Sequence, residues 1–224
     1  LGGIQTAGTV IAATAGSYIR IAEKPVNFGT GSVSLYGTAL LIIDVTNNVW
    51  GTLFMQSTIV RTDRDNVLAP GGALGMGDLV NVLNLNGKNQ TVRSLSCTSA
   101  TGSSSINSDT PATLTVNQSS TTEFKGIFTG AASLVKTDTG TLRLSGASTL
   151  SGAVIVSNGT LLVTGTGSLG ANCTNVVVAG GMLTISNSTA FSDNAAVRIA
   201  DGATMTLAGG VSETVNTLFL NGWQ

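Results

Sequence analysis

The chain has 224 residues, of which 42% are hydrophobic and 9% are charged, with 10 Lys and Arg against 11 Asp and Glu. A typical globular chain is about 25% charged. The balanced charge and the lack of a Lys/Arg stripe argue against nucleic acid as a partner. The sequence contains no His, which excludes Ser-His-Asp catalysis and His-ligated metal sites. The composition therefore predicts a protein without catalytic residues, metal or cofactor.

Residues 1–60 are the least repetitive part of the chain and contain five of its ten aromatic side chains. Short β-prone runs follow one another here, such as LLII at residues 40–43. The strand spacing described below predicts a β-solenoid. A β-solenoid exposes its core and a strand edge at each terminal coil, so such a coil needs a cap. We predict that residues 1–60 form degenerate early coils, a cap or an assembly segment, and that residues 61–224 form the regular solenoid. The alternative is that the apolar strands of residues 1–60 bind another molecule.

The one dense charge cluster of the sequence is RTDRD at residues 61–65. Clustered carboxylates beside Arg are the groups with which Ca²⁺-dependent β-helix lyases hold acidic sugars. The other carboxylates, such as Asp44, Asp109 and Asp201, are dispersed along the chain. We therefore favour a solvated loop with weak internal ion pairs over a lyase site at Asp63 and Asp65.

Residues 96–113 are the stretch of lowest complexity and contain few large apolar side chains, which predicts an excursion from the regular coils. The two cysteines, Cys97 and Cys173, are far apart in the sequence. At the period described below they lie about three to four coils apart, too far for a disulfide. We expect both to be buried as small apolar residues.

Two interleaved series of strands share one period in the second half of the chain. Leu142, Leu161, Leu183 and Met205 recur at sequence intervals of 19, 22 and 22. A second series, Val154, Val176 and Val197, recurs at intervals of 22 and 21. Gly, Ser, Asn and Thr separate the runs, and no window shows a helical stripe, which disfavours a leucine-rich repeat. The spacing predicts an all-β parallel solenoid with coils of about 20–22 residues, and a hairpin-built sandwich is the alternative.

The most regular stretch consists of residues 134–147, LVKTDTGTLRLSGA, followed by residues 152–163, GAVIVSNGTLLV. It resembles the autotransporter-associated β-strand repeat, with Asp138 where that repeat normally has Gly. Residues 83–95 and 201–222 resemble segments that accompany the repeat. The resemblance implies a right-handed parallel β-helix that is secreted or displayed on the surface, commonly within a very long bacterial protein. It implies no single activity.

A weak longer repeat of roughly 125 residues is also visible. Asp65-Asn66 recurs as Asp193-Asn194, and the triplet that begins at Gln90, QTV, recurs as ETV from Glu213. The chain therefore contains nearly two copies of a larger module.

These patterns predict a structural, non-enzymatic β-helix that is extracellular or on the cell surface and forms part of a fibre, sheath or passenger stalk. Both ends of the sequence are apolar and uncharged, so we predict that copies join end to end into a homo-oligomer or filament, without a membrane-spanning segment. The alternatives are an adhesin that binds surface polysaccharide through Tyr18, Tyr36 and Trp50, and a polysaccharide lyase. The predicted assembly interface comprises Leu1, Ile4, Val10, Ile11, Leu218, Phe219, Leu220 and Trp223.

Overall fold

The computed structural model describes residues 10–13, 16–77, 79–98 and 103–221. These residues form β-strands joined by turns and contain no helix, so within them no helix is long and apolar enough to cross a membrane. Alternation of buried and outward-facing positions is regular, as in Thr160–Val163. Val, Ile, Leu and Thr suit such a pleated, half-buried surface, which explains why these runs become strands.

The described residues form twenty-two strands. The first eleven are β1 Val10–Ala13, β2 Tyr18–Ile21, β3 Ser32–Gly37, β4 Leu40–Ile43, β5 Thr52–Gln56, β6 Ile59–Thr62, β7 Ala73–Met76, β8 Val82–Asn84, β9 Gln90–Val92, β10 Ser94–Cys97 and β11 Ser105–Asn117. The second eleven are β12 Thr122–Phe124, β13 Ile127–Thr137, β14 Thr141–Leu144, β15 Thr149–Leu150, β16 Val154–Val156, β17 Thr160–Val163, β18 Asn175–Val178, β19 Met182–Ile185, β20 Ala196–Ile199, β21 Thr204–Leu207 and β22 Thr217–Leu220.

The strands stack as two parallel sheets that wind around one core. The first sheet has ten strands in the order β1-β3-β5-β7-β10-β12-β14-β17-β19-β21, which makes nine coil-to-coil steps. The second sheet has twelve strands along β2-β4-β6-β8-β11-β13-β16-β18-β20-β22, with β9 and β15 at its side. Leu142 pairs with Leu161, Leu161 with Leu183 and Leu183 with Met205. The predicted parallel β-solenoid and its coil period are confirmed.

The side of the coil that the second sheet occupies changes along the solenoid axis. In the first coils it occupies the side formed by β2, β4, β6 and β8, and in the last coils the side formed by β16, β18, β20 and β22. The strands β11 and β13, of 13 and 11 residues, are long enough to run along both sides. Thus β11 pairs with β8 through its first half and with β9 through its second half. Each coil therefore has three sides, of which two carry regular sheet at most levels.

The core consists of stacked columns of inward-facing side chains, one residue per coil. The column of the first sheet contains Leu35, Met55, Met76, Cys97, Phe124, Leu144, Val163, Ile185 and Leu207. All of these are at most 1% exposed except the last, Leu207. Stacked apolar columns of this kind supply the burial that holds successive coils together.

The structure resolves two predictions about particular segments. The expected excursion at residues 96–113 is wrong for its second half, because residues 105–113 belong to β11, whose Ile106 and Ala112 point into the core. The step from Cys97 to Phe124 is nevertheless the longest between paired strands of the described chain. Cys97 and Cys173 are buried in different coils as predicted, and burial raises the pKa of the Cys173 thiol to about 11. The strands of residues 10–60 belong to the same two sheets, and the division at residue 60 stays a prediction.

Candidate functional site

The last coil leaves core side chains uncovered. Leu207, Leu218 and Leu220 occupy inward-facing columns, yet they are 41%, 52% and 47% exposed. The residues that precede two of them in the columns, Ile185 and Val197, are completely buried. No further coil in the described part of the chain covers β21 and β22, so their outer backbone edge is also unpaired within that part. We call β21 and β22 the open coil.

The predicted assembly residues that the structure describes lie at both ends of the solenoid. Leu1, Ile4 and Trp223 fall outside the described residues. Val10 and Ile11 form part of β1, the edge strand of the first sheet. Residues 218–220 lie in β22, the edge strand of the second sheet at the opposite end.

Phe219 differs from its two neighbours in β22. Its ring faces outward and lies against the Arg198 guanidinium, whose carbon is 4.2 Å from the ring centroid. An exposed cation–π contact of this kind contributes about 0.5–1 kcal/mol. Leu218 and Leu220 therefore present the core cross-section, whereas Phe219 belongs to the side wall.

The charged residues near the start of the solenoid form ladders across coils. Asp44 accepts a bond from Arg20 of the preceding coil and one from Arg64 of the next, the latter 2.6 Å long. Arg61 binds Asp63 at 2.8 Å and 3.0 Å through two guanidinium nitrogens. Hydrogen bonds from Arg20 and then Arg64 lower the pKa of Asp44, and the bond from Arg61 lowers the pKa of Asp63.

These ladders use the carboxylates that a lyase site would need. The Asp65 carboxylate accepts a hydrogen bond from the backbone N–H of Asn89 at 2.6 Å. The Asp63 carboxylate also accepts one from the side-chain amide of Asn86 at 3.0 Å. Among the described residues no group of three or more Cys, Asp or Glu side chains is placed to hold a metal ion. Sequence reasoning missed the central role of Asp44, although its two Arg partners each lie one coil away, in opposite directions.

Buried amides and one carboxylate fasten the corners of successive coils. The Gln90 side-chain carbonyl accepts the backbone N–H groups of Val67 and Leu68 at 2.9 Å and 3.0 Å. Glu213 accepts the Ala190 N–H at 2.6 Å and, like Gln90, reaches back by one coil. Burial raises the pKa of the Glu213 carboxyl. The weak long repeat therefore preserves a coil-to-coil bond, since Gln90 and Glu213 perform the same task.

The three aromatic residues proposed for sugar stacking have different environments. Tyr18 and Tyr36 are 69% and 40% exposed and lie in neighbouring coils. The prediction of Trp50 as a sugar-stacking residue is wrong, because its side chain is buried and its ring covers Gly72. A small cavity beside Tyr36 is lined by Ile19, Leu41 and Thr58 among others.

Comparison with known proteins identifies the most regular part of this solenoid. Residues 134–163 match the family described as passenger-associated-transport-repeat. These residues carry a passenger repeat. The chain is also 28% identical, over a 166-residue alignment that covers 69% of the chain, to the adhesin BmaC autotransporter of Brucella suis biovar 1 (strain 1330). The chain spans 5% of the length of that relative. No solved structure matches the chain.

The passenger repeat occupies about one and a half coils of the stack, from β13 to β17. Leu134 and Lys136 point inward, and Asp138, where the repeat normally has Gly, has a φ of 61°. Asp is among the few residues that tolerate this left-handed conformation, so the turn keeps the geometry that Gly would give it. Sequence reasoning treated Lys136 as part of a motif and missed that its side chain is completely buried.

Proposed function

We propose that this chain is a structural segment of a bacterial surface passenger, a rigid β-helical rod of a stalk, sheath or fibre outside the cell. The proposal is supported by the passenger repeat and by the similarity to an autotransporter adhesin. The observation that carries it is the continuous stack of parallel coils, whose nine steps at about 4.8 Å give a rod roughly 40 Å long. The role is mechanical, because backbone ladders and core columns run along one axis.

The open coil extends this proposal to end-to-end assembly. In both sheets the free strand at the C-terminal end, β21 or β22, is parallel to the free strand at the other end, β1 or β2. A second copy placed head to tail, with its first sheet in line, would continue that sheet from β21 to β1 and cover Leu207, Leu218 and Leu220 with its first coil. Such a heterologous contact propagates into filaments unless the rotation closes a ring. We therefore propose a second copy of this chain as the occupant of the open coil.

Sedimentation velocity of the 224-residue chain tests this assembly. We expect the sedimentation coefficient to rise with concentration in the range well above micromolar. The double variant Leu218→Lys, Leu220→Lys places two charges on the core cross-section and should remain monomeric. Met182→Lys is the matched control, because Met182 is 39% exposed on the outer wall of β19 and does not lie on the core cross-section. A wild-type chain that stays monomeric throughout would refute end-to-end stacking.

Adhesion is the second candidate function, and the exposure of Tyr18 and Tyr36 favours it. Exposed aromatic faces suit sugar rings, which present apolar faces and polar edges. We expect a glycan array to detect binding by the wild-type chain and to lose it with Tyr18→Ala plus Tyr36→Ala. The Trp50-containing core is untouched by this variant, so an unchanged circular dichroism spectrum serves as the folding control. The absence of any bound glycan would remove this candidate.

A further inference from the structure

Lys136 ends in a cage of main-chain carbonyl oxygens. Its Nζ donates to the carbonyls of Thr137 at 2.6 Å and Asp138 at 2.8 Å. It also lies 3.4 Å from the carbonyl of Gln118 and 3.5 Å from that of Asn158. These four oxygens come from three successive coils, since Gln118 lies one coil before Lys136 and Asn158 one coil after it. The cage therefore joins three corners of the solenoid at one point.

The stem of Lys136 lies in an apolar column. Val116 precedes it and Val156 follows it in the register of the second sheet, and both are completely buried. Lys136 is likewise fully buried, so every hydrogen bond of its ammonium must come from the protein. Desolvation lowers its pKa, and the nearby Asp138 carboxylate opposes that shift. An ammonium group has three donors and no acceptor, which matches a cage that offers acceptors alone.

We propose that this corner is a site for an ammonium-type cation, built from main-chain carbonyl oxygens that accept its N–H hydrogen bonds, and that the chain fills it with its own lysine ammonium. Rings of carbonyl oxygens are the groups with which proteins replace the hydration shell of monovalent cations. The turn residues around the cage, Ser119, Thr139 and Asn158, are exposed, so a small cation can reach it from solvent once the side chain is removed. The chemical class of ligand is ammonium or an alkylammonium ion of similar size.

The site also fixes the relative position of neighbouring coils. A one-residue slip of β13 would turn Lys136 outward and place Val135 or Thr137 toward the carbonyls, because successive side chains alternate between the faces. Neither of these side chains carries a cation. The lysine of the passenger repeat is therefore a core residue that selects one register for three coils.

Thermal unfolding of Lys136→Ala in matched chloride salts tests the proposal. In sodium chloride we expect its Tm to fall by roughly 5–10 °C, because the carbonyl acceptors lose their donor. Replacement of sodium by ammonium or methylammonium at equal ionic strength should recover a large part of this loss, since a ligand that binds the folded state raises Tm. If Lys136→Ala does not fold in sodium chloride, the refolding yield in ammonium chloride is the readout.

Val156→Ala is the matched control, because it opens a cavity in the same column one coil further along without removing a cation. Its Tm should fall without any difference between the three salts. A second variant, Lys136→Met, keeps the apolar stem and removes the charge, and we expect it to be less stable than wild type and insensitive to ammonium. Equal Tm values for Lys136→Ala in all salts, or a Lys136→Met variant as stable as wild type, would overturn the proposal.

Discussion

Replacement of Phe124 by Ala is expected to lower the free energy of unfolding by about 3–5 kcal/mol, the usual loss for a buried Phe. Phe124 is completely buried in the column of the first sheet, between Cys97 and Leu144. Its ring also contacts that of Phe128, with centroids 5.3 Å apart and planes tilted by 56°. Tilted aromatic pairs add about 0.5–1.5 kcal/mol beyond the area that they bury.

Chemical denaturation monitored by circular dichroism measures this effect. Phe219→Ala is the matched control, because Phe219 is 40% exposed and contacts Arg198 on the outer wall. We expect that variant to lose less than about 1 kcal/mol. Because solenoid coils interact mainly with their neighbours, a broadened transition in Phe124→Ala would indicate that the two halves no longer unfold together. Equal losses for the two variants would contradict the assignment of Phe124 to the packed core and of Phe219 to the outer wall.

The coil period was predictable because hydrophobic spacing reports it directly. Leu142, Leu161 and Leu183 are direct register partners, and the spacing that predicts the solenoid is the spacing between their strands. The same logic failed where large apolar side chains are scarce. Residues 105–113 contain few of them, yet they continue the sheet because Ile106, Ser108 and Ala112 fill their three buried positions.

The candidate sites were predictable to a smaller extent. The uncharged ends of the sequence led to the prediction of Leu218 and Leu220 as assembly residues; both are exposed in the open coil, and their role in assembly stays a prediction. Lys136 and Asp44 were not predicted, because their partners are a main-chain cage and Arg residues one coil away, neither of which a local motif reveals. Alignment of successive coils at their common period would have placed Arg20, Asp44 and Arg64 next to one another. The carbonyl cage, in contrast, depends on the path of the backbone at three corners.

The glycines of the passenger repeat provide the second large expected effect. Gly146 lies against the preceding coil, where a Cβ atom would overlap the carbonyl oxygen of Gly126 and lie 2.7 Å from that of Lys125. Both atoms belong to the backbone, so relief requires the two coils to move apart. We expect Gly146→Ala to lower the free energy of unfolding by about 3 kcal/mol, at the upper end of the usual cost of overpacking.

The matched control for Gly146→Ala is Gly71→Ala. A Cβ atom at Gly71 meets nothing within 4 Å, and Gly71 is not among the glycines with positive φ. We therefore expect Gly71→Ala to change stability by less than about 1 kcal/mol and to stabilise if anything, because Ala restricts the unfolded chain more than Gly does. Denaturant midpoints of the two variants, measured side by side, decide the matter. If Gly146→Ala unfolds at the wild-type midpoint, the preceding coil accommodates a Cβ atom at this position. Close approach of the backbone is then not the reason for Gly at this position of the repeat.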